Sequence, residues 1–332
     1  MTKLIVELCQ NHNGDRDVFA EQIRSAAENG ADIVKMQSIW SDDVTFRDRF
    51  EEGETDEDGT VRAIKRPYAA EKERLAKLDL SLDDHEFFIQ KAKEYGVTPM
   101  TTIFARHRIP DVGRLPWEGI VKVASYDCAS WPFLRELAEH FDKFIISTGA
   151  TYDEEIEETA KLMKELGKEY SFLHCVTSYP NTIEMGNLAR MNWLRQFTPT
   201  VGWSDHSHVE NHGIDMAKVA IMLGADYVER HYTVLGAADT KDGPVSITPA
   251  LLKELSDFRN LSKDEQRAVV ERDIPNWEVM LGQERREMTP TELLNRDYYR
   301  GRFAASHPSG EGWLYNWEER PAVDAISARS FN

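Results

Sequence analysis

Eight short apolar runs in the 332-residue chain each end in side chains able to bind or transfer charge. The first run closes on Glu7, Gln10, Asn11, His12 and Asn13, the second on Lys35 and Gln37, the third on Thr101 and Thr102, and the fourth on Lys122, Ser125 and Asp127. The fifth closes on Ser147 and Thr148, the sixth on His174, Thr177, Ser178 and Tyr179, the seventh on Ser204, Asp205 and His206, and the eighth on Glu229, Arg230 and His231. A lysine that ends an apolar strand, as IVK does at both Lys35 and Lys122, is costly to bury without an anionic partner. Two lysines and several hydroxyls around one mouth suit a small polyanion such as a phosphate ester, which needs several donors at once. Ser147-Thr148-Gly149 reads as a tight turn presenting backbone amides, which suits the same ligand. A capping or turn role would account for any one of these Ser or Thr residues; the joint pattern is what calls for a ligand. His206 and His231 end neighbouring runs and could share a divalent transition metal. A lone histidine is more often structural, and His208 with His212, at helical i, i+4 spacing, form a rival ligand pair that fits a surface or capping role better.

The elements that must position these groups follow from periodicity. Continuous apolar runs at residues 4–8, 33–37, 98–102, 120–124, 144–147, 172–175, 200–204 and 227–229 suit strands buried on both faces of a parallel sheet. Between them lie amphipathic patterns at residues 18–29, 82–95, 131–141, 152–166, 185–196, 211–223 and 250–260, with a short weaker helix at 106–115. Ser81 with Asp84 and Thr151 with Glu154 have capping-box spacing, and Gly30, Gly96, Gly167 and Gly224 stand where helices would stop. Eight strand–helix pairs before residue 262 predict a closed (β/α)8 TIM barrel. A doubly wound sheet is the rival architecture, but it should concentrate its polar strand ends at one switch point, and here all eight ends are polar. The chain divides into a barrel domain, 1–262, and a short irregular C-terminal extension, 263–332. The extension lacks a clear period, is too short for a large core of its own, and is expected to pack on the barrel or on a partner subunit. Residues 41–80 form a long charged insertion with an expected mobile tip.

Composition narrows the function classes. The formal net charge of -18, without a dense Lys/Arg patch, disfavours nucleic acid as a partner. No stretch of about 18 apolar residues is present, so no membrane span is expected. Three dispersed cysteines, Cys9, Cys128 and Cys175, argue against a disulfide framework and for a reducing, cytoplasmic setting.

In order along residues 3–260 the motifs VELCQNHNGD, ADIVKMQS, TPMTTIF, VKVASYD, IISTGA, LHCVTSYP, VGWSDHS, ADYVERHYT and DGPVSITP resemble those of the N-acetylneuraminate (sialic acid) synthase family, which includes legionaminate and pseudaminate synthases. The resemblance implies an enzyme that joins phosphoenolpyruvate to an aldehyde sugar resembling N-acetylmannosamine, giving a nonulosonic 2-keto-3-deoxy sugar acid and phosphate. It implies a divalent metal on His206 and His231, Mn2+ before Mg2+ or Co2+, which orients and polarises the aldehyde oxygen. It places phosphoenolpyruvate on Lys35, Thr102, Lys122, Ser125, Ser147, Thr177 and Ser204, with Thr177 standing where the family has asparagine. It places the sugar on Asn13, Tyr179 and Asp242, and Gln37 and Asp127 near the reacting carbons. Residues 289–321 resemble the linker and start of an antifreeze-like domain that in the family donates an arginine to a partner's sugar site in a swapped dimer. A homodimer is therefore expected, and Arg296, Arg300 and Arg302 are candidates to replace that arginine. Related synthases with phosphorylated acceptors, and a catalytically silent sugar-binding relative, are the alternatives. A phosphorylated acceptor would need extra basic residues at the mouth, for which Lys65, Arg66 and Arg106 are candidates.

Overall fold

A computed structural model describes residues 1–307 and 312–320 of the chain. Eight parallel strands close on themselves: β1 (Lys3–Glu7), β2 (Ile33–Ser38), β3 (Thr98–Ile103), β4 (Ile120–Val123), β5 (Lys143–Ser147), β6 (Glu169–Cys175), β7 (Val201–Asp205) and β8 (Tyr227–Tyr232). β8 pairs in parallel with β1, Lys3 opposite Tyr227 and Glu7 opposite His231, so the sheet has no free edge in the barrel. This is the expected (β/α)8 architecture, and the doubly wound alternative is excluded.

Strand alternation sorts the side chains into layers. Ile5, Ile33, Met100, Ile120, Ile145, Leu173 and Tyr227 point inward and fill the barrel with one apolar plug. Gly202 occupies the remaining place because a Cβ there would lie 2.2 Å from the Tyr227 carbonyl oxygen and 2.7 Å from Leu173. Two residues further along each strand the inward layer turns polar: Glu7, Lys35, Thr102, Lys122, Ser147, Cys175, Ser204 and Glu229. The alternate side chains, among them Val6, Val34, Val121, Ile146, Phe172, Trp203 and Val228, point outward into the core shared with the helices. Alternation also moves four expected mouth residues out of the mouth. Thr101 bonds Ser38 at 2.7 Å, and His174 Nε2 lies 2.8 Å from the Gly186 carbonyl beside Trp203. Asp205 and Arg230 form a buried ion pair at 2.5 Å in the outer layer.

The surrounding helices begin where local chemistry allows. Leu82–Glu94 carries the expected Ser81/Asp84 capping box. Asp153–Glu165 starts one residue later than expected, with Glu155 accepting from the Tyr152 N–H at 3.0 Å, while the Thr151 hydroxyl donates to the carbonyls of Ser125 and Gly149. Residues 185–196 do not form one helix: the left-handed backbone of Asn187 (φ 46°) separates the turn Ile183–Met185 from the helix Arg190–Leu194. Residues 211–223 split at Gly213 (φ 50°) into Val209–His212 and Asp215–Met222.

Both irregular segments contain defined elements, and the extension takes one of its two expected places, on the barrel. The 41–80 insertion contains the helices Arg49–Glu52 and Tyr68–Ala76 and an antiparallel hairpin, Glu54–Thr55 with Val61–Ala63. The extension packs on the barrel as the helices Lys263–Asp273 and Pro290–Arg300, followed by an antiparallel sheet of Ala304–Ser306, Trp313–Tyr315 and Glu319–Arg320. The two segments clasp one another. Thr45 N donates to Arg302 O at 2.9 Å, Arg47 donates to Tyr298 O at 2.6 Å, Arg49 pairs with Asp297 at 3.0 Å, and Phe50, Ala63 and Tyr298 share an apolar cluster. Pro321, the last residue of the segment resembling an antifreeze-like start, lies outside the described residues, as do 308–311 and the rest of the tail. Among the described residues no helix is long and apolar enough to cross a membrane.

Candidate active site

The polar layer above the apolar plug floors a cavity of about 320 Å³ at the C-terminal ends of the strands. Its two lysines are buried, 4% exposed at Lys35 and 3% at Lys122, so their polar contacts come from the protein rather than from water. Lys35 contacts Glu7 and donates to Thr102 Oγ1 at 3.2 Å. Lys122 donates to Ser147 Oγ at 2.7 Å and to the Val123 carbonyl at 2.9 Å. Ser204 donates to Glu229 at 3.0 Å. Burial pushes the Lys35 ammonium down to about 7, against the pull of Glu229 and with the help of Lys122. Burial alone would raise Glu229, but Lys122 and Lys35 hold it below the usual carboxylate range. Ser125 accepts from the Gly149 N–H at 3.2 Å, and a Cβ on Gly149 would sit 3.0 Å from that hydroxyl, so the glycine keeps the turn close to the cavity wall.

His206 and His231 stand side by side, as expected from their adjacent strands. Their ring centroids are 4.9 Å apart and their planes cross at 88°. Tyr179 lies against both, 4.3 Å from the His206 ring and 6.5 Å from that of His231. Burial lowers the pKa of each imidazole, most strongly at His206, which favours the neutral, metal-binding form. His231 Nδ1 is buried without a hydrogen-bond partner. Ligand atoms of Cys9, His231 and Asp242 all lie within 4.8 Å of one another, so a sulfur and a carboxylate are available beside the imidazole pair. This donor set fits a divalent transition ion. Of the rival pair, His208 caps the start of a short surface helix, Val209–His212, and His212 is its last residue; neither lines the cavity. Cys9 was not among the residues expected to bind; its place two residues beyond Glu7, at the end of β1, was the available signal.

The remaining expected residues divide. Gln37 accepts from Gln10 at 3.2 Å, and Gln10 accepts from Arg74 at 2.7 Å, a chain that fixes both amides at the rim. Asp127 is buried and accepts from Ser130 at 2.9 Å and from Asn316 at 3.0 Å; burial pushes its carboxyl up to about 6 despite both bonds. Asp242 lines the cavity. Asn13 does not: it is outside the wall, donating to the Asp239 carbonyl at 2.8 Å. Thr177 also misses the cavity. It is fully buried behind Gly149, its backbone N–H donating to Glu292 at 3.3 Å and its carbonyl accepting from Asn295 at 2.8 Å. Arg74, Lys241, Tyr299, Phe303 and Asn316 line the mouth without having been expected there. Arg300 and Arg302 line it too, whereas Arg296 is spent on Glu155 and the Ala150 carbonyl. Of the basic candidates for a phosphorylated acceptor, Arg66 reaches the mouth, while Lys65 pairs with Glu52 and Arg106 with Glu136 and Glu319.

Known proteins share this fold. A model of the NeuB family matches residues 22–268. The chain is 30% identical over 275 residues to an N,N'-diacetyllegionaminic acid synthase of Campylobacter jejuni, spanning 79% of this chain and 77% of that protein. It is 27% identical over 261 residues to the N-acetylneuraminate-9-phosphate synthase of Mus musculus, spanning 76% of this chain and 67% of that one. Among solved structures it has the fold of the sialic acid synthetase of Leptospira borgpetersenii (TM-score 0.66, 23% identity, 90% of both chains). The spore coat polysaccharide biosynthesis protein SpsE of Bacillus subtilis is similar at TM-score 0.68 and 24% identity, over 90% of this chain and 77% of that one. The expected likeness to sialic acid synthases is thus borne out over the barrel: the chain belongs to the NeuB family.

Proposed function

We propose that the protein is a metal-dependent synthase that condenses phosphoenolpyruvate with the aldehyde of an open-chain aldose, forming a nonulosonic-type 2-keto-3-deoxy sugar acid and inorganic phosphate. The observation that carries this reading is the meeting of two buried lysines and a shell of hydroxyls with two adjacent imidazoles in one cavity. Lys35, Lys122, Thr102, Ser125, Ser147 and Ser204 hold the phosphate and carboxylate, where each charge-assisted bond is worth about twice a neutral one. His206 and His231, with Asp242 and Cys9 within reach, would hold the divalent ion, Mn2+ before Mg2+ or Co2+. When bound, that ion supplies Lewis-acid polarisation of the aldehyde oxygen. Tyr179 and Gln37 orient the aldose so that its aldehyde carbon faces the methylene carbon of phosphoenolpyruvate. Carbon–carbon bond formation sends the carbonyl electrons of the aldehyde onto its oxygen, which takes a proton from solvent to become a hydroxyl, and leaves a cationic centre at C2. Water adds there, Asp127 takes the proton released, and the C2–O bond to phosphate then breaks as the C2 hydroxyl gives its proton to the departing phosphate and becomes the ketone. The inner layer, already holding Glu7 and Glu229, stabilises the positive charge at C2 as it develops.

The test is phosphate release by the purified protein with phosphoenolpyruvate, Mn2+ and a panel of neutral and phosphorylated aldoses. Release that requires both the aldose and the metal is expected. Absence of release with every aldose, under conditions where phosphoenolpyruvate binds, would overturn the synthase reading.

A further inference from the structure

The charges at the mouth are not matched as those of the floor are. On the floor, Lys35 and Lys122 face Glu7 and Glu229. At the mouth five cations line the cavity: Arg66, Arg74, Lys241, Arg300 and Arg302. Arg74 and Arg302 share the single carboxylate of Glu71. Arg300 reaches Glu155 only at 3.4 Å, and Glu155 is already held by Arg296 at 2.5 Å. Among the described residues Arg66 and Lys241 have no carboxylate within ion-pairing distance; Arg66 donates only to the Lys65 carbonyl at 3.3 Å. The Nε of Arg302, a side chain 8% exposed, and the Nε of Arg300 are buried without partners. These groups come from three separate segments, the insertion, the loop after β8 and the extension, so no single local structure requires them to converge. They converge on a chain with 58 acidic and 40 basic residues, whose global field runs the other way. Guanidinium groups with free donors around one opening suit a phosphate or carboxylate.

We infer that the acceptor aldose carries an anionic group remote from its aldehyde, a phosphate monoester or a carboxylate, which Arg66, Lys241 and Arg300 receive at the mouth. This rests on the synthase reading and names the substrate class within it. The inner lysines take phosphoenolpyruvate, so the outer set is available for the second substrate. The extension supplies its part of that set within the same chain.

The test compares an N-acetylhexosamine, its 6-phosphate and the corresponding uronic acid as acceptors, at saturating phosphoenolpyruvate and Mn2+. The acceptor kcat/KM should be at least about tenfold higher for one of the charged sugars than for the neutral one, the worth of a single charge-assisted bond. Arg66→Ala and Lys241→Ala, both exposed and compatible with folding, should raise the KM of the charged sugar about tenfold and leave the KM of phosphoenolpyruvate within about twofold. Preference for the phosphate or for the uronate tells the two anions apart. Equal use of the neutral and charged sugars, or substitutions that raise the KM of phosphoenolpyruvate instead, would overturn the inference. If no sugar turns over, the synthase reading fails separately, and calorimetric titration of the Mn2+-loaded protein with the 6-phosphate decides this one. Binding weakened by Arg66→Ala sustains it, and absence of binding overturns it.

Discussion

At Lys35 the ordinary preference of an ammonium for water is opposed by burial, and its pKa falls to about 7. A phosphate dianion arriving beside it restores the charged form, so binding should draw in a proton. Calorimetric titration of phosphoenolpyruvate at about pH 8, in buffers of different ionisation enthalpy, should show net proton uptake that disappears in Lys35→Met. Uptake unchanged in that variant would assign the proton elsewhere. Asp127 lies on the other side of the balance, its carboxyl pushed up to about 6 by burial. If it accepts the proton of the adding water, activity rises with pH through that value, and Asp127→Asn should remove the limb and lower kcat by about 100-fold or more. A limb that survives the substitution belongs to another group. The rows of polar residues at the strand ends were legible, but their directions were not all read. Strict alternation separates Ser204 and His206 from Asp205, and Glu229 and His231 from Arg230, whereas a plain reading of strand ends places all six at the mouth. Asn13 stood in a motif that resembles the family's, yet the left-handed turn it occupies (φ 53°) directs its amide to the Asp239 carbonyl.

Among the elements, the insertion and the extension are where expectation departed most from structure. Neither has a run of alternating or helical hydrophobicity long enough to declare itself, because each completes its packing against the other. Phe50 and Tyr298, 5.2 Å apart edge to face, are far apart in sequence, as are Thr45 and Arg302. Such contacts leave no periodic signal. The start of the helix Pro290–Arg300 was written locally: Thr289 and Glu292 form a capping box and Pro290 fills the first turn, which fixes the helix that delivers Tyr299 and Arg300. The clasp is closed by the buried pair of Glu71 and Arg302. Burial pushes the Glu71 carboxyl up, but Arg74 and Arg302 hold it at about 2, well below the ordinary 4.5. A depressed carboxylate contributes stability that is present above the unfolded value and lost as pH falls from about 4.5 towards 2. Glu71→Gln should cost about 3 kcal/mol at neutral pH by stranding a buried guanidinium. It should also flatten the acid limb of the stability profile measured by denaturant unfolding. A variant with wild-type stability and an unchanged acid limb would show that the clasp holds without the pair.

For the molecule as a whole, barrel closure does the positioning. It brings residues from Glu7 to His231 to one rim, and the chain's apolar runs were sufficient to foresee that. They could not foresee that part of the rim comes from beyond the barrel, because Arg300, Arg302, Phe303 and Asn316 reach the cavity by tertiary packing alone. The family match covers residues 22–268, so these mouth residues lie outside it, while the lysines and imidazoles of the floor lie within it. On the proposed reading the barrel floor holds phosphoenolpyruvate and the imidazoles the metal, while the acceptor's anion is received at the mouth, by Arg66 and Lys241 from within the match and by Arg300 from beyond it. The most direct test of that division is a crystal structure of the protein soaked with phosphoenolpyruvate and Mn2+, with the ion located by its anomalous scattering. One Mn2+ is expected between His206 and His231, with phosphoenolpyruvate held by Lys35 and Lys122 on the cavity floor. An ion bound away from both imidazoles, or phosphoenolpyruvate resting on the outer arginines with the lysines untouched, would contradict that placement.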